Sequence, residues 1–266
     1  MAEINAGLKR KAYLDNPIIL GYSYGILLLI GESPDVQFDL LNNLLEKHSG
    51  QLGAYEQKTF SKILENHCIR QINSGHEHYY QLLFALLERR LQREESILAA
   101  DVKNFITLCL RTGKSTTAYR FIHEKRDNIV PEEIRNDAFN YSMALIHFYK
   151  KNYDEVLSLL QQVEYLNVFY KIDSKKLLIE TYYELKEWDA LESAMNAFRV
   201  FIHRNSEISD LHKKNNQNFI NFLYKLVSEK SNQKKRLQQL HQVLTRSQDI
   251  AERKWLMEKV MERNSS

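Results

Sequence analysis

Glycine and proline are nearly missing from this 266-residue chain, which has 8 and 3 of them. Together they make up about 4% of the residues, where average usage is roughly 12%. Sheets, barrels and dinucleotide-binding units spend these residues on their turns, so the scarcity argues against all three. It favours helices joined by short polar loops. Cysteine is almost absent as well. Cys68 and Cys109 both lie among apolar residues in helical patterns, and there is no CxxC pair on which a thiolate zinc site could be built. The two could form one disulfide; buried free thiols in a reducing, cytoplasmic compartment are the commoner arrangement.

Long apolar runs are also lacking. The most apolar stretch, Ile18 to Ile30, is about 13 residues, short of the ~20 that span a bilayer. Lys9, Arg10 and Lys11 precede it, as in a signal peptide. However, Asp15, Asn16 and Pro17 interrupt that pattern, Tyr22, Ser23 and Tyr24 lie inside the stretch, and no small-residue cleavage site follows it. A buried helix is expected there, with Gly21 and Gly25 letting a neighbouring helix approach closely, and no membrane is expected as a partner. The net charge of +3 demands neither nucleic acid nor lipid. From Asp210 to Ser266, twelve Lys/Arg outnumber six Asp/Glu, a local +6 that leaves −3 elsewhere. A solvated helix surface and a basic docking face both fit that excess.

What the chain does contain is amphipathic periodicity. Leu40, Leu41, Leu44 and Leu45 mark one helix face, preceded by Ser33 as a cap, Pro34 at the first helical position and Asp35 in the first turn. Phe60, Ile63, Leu64, His67 and Cys68 mark a second face, and Tyr79, Leu82, Leu83, Leu86, Leu87 and Leu91 a third. His48-Ser49-Gly50 and Asn73-Ser74-Gly75 separate them. Helices with such short connections pack antiparallel.

From Asp101 a period appears. Ala118, Val156 and Leu191 stand early in the second helix of three successive pairs, 38 and 35 residues apart. The first helices supply Phe105, Ile106, Cys109 and Leu110, then Met143, Ala144, His147 and Phe148, then Leu178, Ile179, Tyr182 and Tyr183. Recurrence near 34 residues signals stacked helix pairs. Asn140 to Val163 resembles a tetratricopeptide repeat, with Ala144 at its small-residue position and Tyr153-Asp154-Glu155-Val156 in place of the family's aromatic, acidic, acidic, alanine run. Lys186-Glu187-Trp188-Asp189 repeats the theme. The resemblance covers Asp101 to His203; Ile106 and Ile179 replace a small contact residue, and the closing prolines are missing. It implies an all-α, right-handed α-solenoid of antiparallel helix pairs, a TPR-like superhelix. We expect one helical-repeat domain over 1–266: a helical cap or degenerate repeats over 1–100, TPR-like repeats over 101–209 and basic helices over 210–266. Trp255, Leu256 and Val260 are expected to close the array.

Catalytic motifs fail on spacing. Gly113-Lys114-Ser115 lacks the glycine five residues earlier that a phosphate-binding loop needs, since Leu108 stands there, and it is expected to be an inter-helix turn. His76-Glu77-His78 places Tyr80 where a zincin needs its second histidine. His147, between Ala144 and Phe148, is expected to be a hydrogen-bonded core histidine. No GxSxG elbow is present, and Asp137, Asp154 and Glu155 suit helix first turns. No catalytic residue, metal or cofactor is therefore nominated. Tyr141, Tyr149, Tyr153, Tyr165, Tyr170, Tyr182 and Tyr183 crowd the repeats, for helix packing or for an aromatic binding surface.

The resemblance implies a non-enzymatic scaffold for a protein or peptide, with a helical-repeat RNA binder as the alternative. The first helices would line the groove with Lys103, Thr107 and Arg111, then Tyr141, Leu145 and Tyr149, then Lys176, Glu180 and Tyr183. Far-UV circular dichroism should show a strongly helical spectrum; a central parallel sheet of four strands would refute the fold class.

Overall fold

A computed structural model describes residues 16–162, 167–228, 234–247 and 249–265. Lys9, Arg10, Lys11, Asp15, Val163 and Tyr165 lie outside them. Among the described residues there are thirteen α-helices, so the fold is all-α, and none is long and apolar enough to cross a membrane. They gather into two compact units, Met1–Ile146 and His147–Ser266.

The first unit contains α1 (Pro17–Ile30), α2 (Pro34–Lys47), α3 (Ala54–Asn73), α4 (Tyr79–Arg93), α5 (Ala99–Arg111) and α6 (Ser115–Glu124), together with most of α7 (Arg135–Tyr149). Each helix from α2 to α6 packs on the one before it, and α1 also meets α3. The side chain of Asn16 caps α1, accepting from the Ile18 amide at 2.9 Å, and Pro17 fills the first helical position. Gly31, at φ 79°, ends that helix in the left-handed conformation that glycine adopts without a side-chain clash.

Ser33 does not cap α2. It adopts a left-handed φ of 48° and makes no side-chain cap bond, while Pro34 and Asp35 open the helix as the sequence predicts. The Asp35 carboxylate instead accepts from the Tyr79 hydroxyl at 3.1 Å, tying α2 to α4.

Gly21 and Gly25 set the approach of α1 to α3. A Cβ at Gly21 would fall inside the Phe60 ring, and one at Gly25 would lie 3.0 Å from Ile63 Cδ1. Only part of α1 is buried, however. Gly21, Gly25, Leu27 and Leu28 face inward, but Ile26, Leu29 and Ile30 are exposed, as is Val36 of α2. The apolar stretch is thus a two-sided surface helix rather than the buried one expected.

Among the described residues one short sheet interrupts the helical pattern. Ile97–Leu98 (β1) pairs in parallel with Ile129–Val130 (β2), joining the loops that flank α5 and α6. Ile97 and Ile129 are fully buried there. Gly113 at φ 75° lies in the turn between α5 and α6, where the sequence placed it. Cys68 and Cys109 are buried free thiols, each pushed up to about 12, first of all by burial.

The second unit contains α8 (Tyr153–Gln161), α9 (Val168–Leu185), α10 (Trp188–Arg204), α11 (Asp210–Ser228), α12 (Lys234–Arg246) and α13 (Arg253–Ser265). Helices α8 to α11 pack in chain order, and α13 closes on both α11 and α12. Ile179, Leu191, Phe198, Phe219, Leu223 and Leu256 form the centre of its core. Trp255, Leu256 and Val260 are buried, as expected of a closing helix. His147 is only half-buried, and its Nδ1 has no hydrogen-bond partner, against the expectation of a bonded core histidine.

The three residues that define the period behave alike. Ala118 in α6, Val156 in α8 and Leu191 in α10 all have 0% exposure. Val156→Arg would put an unpaired charge into an apolar contact and should cost on the order of 3 kcal/mol or more. Urea unfolding of the variant measures it; a loss below about 1 kcal/mol would mean that this register position does not matter.

Candidate functional site

The polar residues of α9 are placed by helical geometry. Asn167 caps the helix through its side chain, accepting from the Phe169 and Tyr170 amides at 2.9 and 3.3 Å. Asp173, Lys176, Glu180 and Glu184 then fall at steps of three and four residues, which align them on one face. That face is met by the start of α13. Lys176 Nζ lies 3.1 Å from Asp173 Oδ1 and 2.6 Å from Glu252 Oε1. Glu184 Oε1 accepts from the Trp255 indole N–H at 3.1 Å and from Lys259 Nζ at 2.7 Å. Lys259 also reaches Glu262 at 2.9 Å. The Tyr183 ring meets Trp255 edge-on with centroids 5.2 Å apart, and Trp188 at 5.9 Å.

Charge along this strip is unbalanced. Burial alone would lower the Lys176 ammonium, but Glu252 and Asp173 outweigh it and hold the group above its ordinary value. Burial would likewise lower Lys259, and Glu184 and Glu262 reverse the sign. Glu180 lies between these pairs. It is 7% exposed and its Oε1 has no hydrogen-bond partner. Burial first, and then the Glu252 charge, push its carboxyl well above the usual range, with Lys176 opposing. The shift favours the neutral acid, the form that costs less to bury.

These contacts revise the groove drawn from the sequence. Lys176, Glu180 and Tyr183 do share a face, but α13 covers it, and Glu180 and Tyr183 are buried. Tyr141 of α7 is buried too, and Leu145 is half-buried. On α5, the Thr107 hydroxyl donates to the Lys103 carbonyl at 2.8 Å, and both residues are half-buried. Arg111 is exposed, with its guanidinium donating to the Tyr80 hydroxyl at 3.4 Å. Tyr149 is 47% exposed. The nine residues are therefore not one open strip. Of the tyrosines crowding the repeats, Tyr170 is buried and Tyr153 and Tyr182 are half-buried, so most serve packing.

Sequence reasoning missed Glu252 and Lys259 as the partners of α9, and it assigned Trp255 only to the closing core. The signal was a tryptophan and a lysine four residues apart on a helix whose neighbours Leu256 and Val260 are apolar. It also missed a buried ion network in the first unit. Arg90 donates to Glu65 at 2.6 and 3.4 Å, to Glu94 at 2.8 Å and to Asp101 at 3.2 Å. Lys62 bridges Glu65 and Asp101 at 3.2 and 3.1 Å. Burial pushes Asp101 upward, but Arg90 and Lys62 prevail and hold it below the usual carboxylate range. This network fastens α3, α4 and α5 together.

Several basic residues beyond Asp210 are also engaged internally. Lys214 pairs with Asp249 at 2.8 Å, Arg253 donates to the Ser247 carbonyl at 2.9 Å, and Arg263 donates to the Leu226 carbonyl. His76 and His78 have ring centroids 6.4 Å apart, with His78 against Tyr79. Among the described residues no group of three or more His, Cys, Asp or Glu is arranged to hold a metal. No family model matches the chain, and no curated protein matches its sequence.

The raised Glu180 carboxyl has a pH consequence. A group held above its unfolded value binds more protons in the fold, so its contribution is complete below that value and is lost as pH rises through the raised one. Stability of the second unit should therefore fall as pH climbs above the ordinary carboxylate range, and Glu180→Gln should flatten that fall. Urea midpoints at about pH 5, 7 and 9 check it; parallel curves for both proteins would place the titration elsewhere.

Proposed function

We propose that the protein is a non-enzymatic scaffold that binds a protein or peptide, built as a right-handed α-solenoid of antiparallel helix pairs with tetratricopeptide-like repeats over 101–209. The observation that carries this reading is the recurrence of a fully buried side chain at Ala118, Val156 and Leu191, one per helix pair. An array of this kind spends its core on stacking and leaves its surfaces for partners. The described surface also carries partly exposed aromatic side chains: Tyr149, Phe169 and Trp188 are each nearly half exposed. Aromatics give large, rigid contact area at low entropic cost, which suits an interface. A reducing, cytoplasmic setting accords with the two buried free thiols.

The acidic and basic groups support the same reading over nucleic-acid binding. Several basic side chains beyond Asp210 are engaged within the fold, Lys259 by Glu184 and Glu262 and Lys214 by Asp249. A phosphate backbone needs such cations unpaired.

Affinity capture on the immobilised full chain, with mass spectrometry of what is retained, would identify a polypeptide partner, and titration calorimetry would give its affinity. Replacing Tyr149 and Trp188 together by alanine should weaken that partner by more than ~1 kcal/mol, with the helical spectrum unchanged. Unchanged affinity would move the interface away from these aromatics. Retention of RNA at ~50 mM salt, steeply lost on raising salt, would favour the nucleic-acid alternative instead.

A further inference from the structure

Helix α13 occupies the face of α9 that the repeat pattern assigns to a ligand, and it does so with a ligand's chemistry. Within the second unit, Glu252 takes Lys176, Trp255 takes Tyr183 and Glu184, and Lys259 takes Glu184. Leu256 and Val260 fill the apolar space alongside. An aromatic anchor, flanked by one acid and one base and backed by aliphatic side chains, is how an amphipathic helix enters a groove.

We propose that α13 is an internal ligand, and that the α9 strip takes in its place a helical segment of another polypeptide. That segment would bear an aromatic residue followed four positions later by Lys or Arg, with apolar residues next to each. The proposal rests on reading the protein as a polypeptide-binding scaffold.

Two features make α13 an incomplete occupant. First, it leaves one oxygen of Glu180 unmet: that carboxyl is buried at 7% exposure with Oε1 unpartnered, among Asp173, Glu184 and Glu252, with Lys176 the cation beside it and already paired to Glu252 and Asp173. A ligand bringing a hydrogen-bond donor to this position satisfies a group that α13 does not, and leaving such a group unmet is costly. Second, the entry to α13 is strained. Glu252 sits at φ 50°, a left-handed conformation that a residue with a side chain rarely adopts. What favours α13 is its tether, which keeps it at high local concentration. Displacement therefore requires a partner whose contacts are better than those of α13, and the unmet Glu180 provides the means.

The test uses the full-length chain and a fluorescein-labelled peptide of residues 249–264, read by anisotropy. Trp255→Ala with Lys259→Ala in the full chain removes the two anchors of the tethered helix. This variant should bind the free peptide about tenfold or more tightly than wild type does, because the internal competitor is weakened. The same peptide with Trp255→Ala should not bind. Equal or undetectable binding to wild type and to a folded variant overturns the proposal.

Should the variant lose its helical spectrum, hydrogen exchange on wild type decides the matter. Amides of α13 exchanging well before those of α9 and α11 support release of α13 from its docked state; exchange of all three in one step overturns it. A captured partner that binds wild type and variant equally well removes the internal-ligand role and leaves the scaffold reading intact. Failure to capture any polypeptide removes the scaffold reading itself.

Discussion

A helix with a single apolar stripe cannot stay folded in water by itself, and every helix of this chain depends on a neighbour to cover that stripe. With few glycines or prolines to redirect the backbone, the nearest cover is the next helix along. The contacts follow chain order through most of both units. The closest approaches are made where side chains are small or absent. Gly21 admits the Phe60 ring, and Ala118 of α6 is fully buried. Val156 and Leu191 fill the same position with more volume and are equally buried.

On this apolar frame lie two buried arrangements of charge with different balance. In the first unit Arg90 spreads its guanidinium over Glu65, Glu94 and Asp101, with Lys62 closing the ring, so each carboxylate is met by a cation. Removing one member of such a set leaves an uncompensated charge, which makes the pairing of α3, α4 and α5 specific as well as stable. In the second unit Lys176 and Lys259 stand against Asp173, Glu180, Glu184 and Glu252. The shortfall falls on Glu180. A buried carboxyl whose Oε1 has no hydrogen-bond partner is tolerated there, but it weakens the seam between α9 and α13 where the first unit has a fastener.

The seam also changes what the surface offers. Tyr183 serves Trp255 and Trp188 rather than a visitor, and Glu180 and Lys176 lie beneath Glu252. Among the described residues of the second unit, the exposed aromatics are instead Tyr149, Phe169 and Trp188, at the ends of helices rather than along their middles.

Helix content, the short breaks at His48–Gly50 and Asn73–Gly75, the turn at Gly113 and the buried register of Ala118, Val156 and Leu191 were all legible in the sequence. Periodicity and turn chemistry are local, and a face that repeats every 3.6 residues declares itself within one helix. The inward facing of Gly21 and Gly25 was legible for the same reason. The open side of α1, the left-handed Ser33 and the parallel pairing of Ile97 with Ile129 were not. Each depends on what a distant segment covers or joins. The covering of the α9 strip was least legible of all. Lys176 and Glu252 lie 76 residues apart in the chain, and a lysine on a helix reads as solvated until another helix brings a carboxylate to it. The sequence by itself determined which faces are apolar and how often they recur, because those follow from side-chain order along a single helix. Only the tertiary structure decided which polar faces remain open and which are sealed, because a charge is buried only when a partner far along the chain arrives to compensate it.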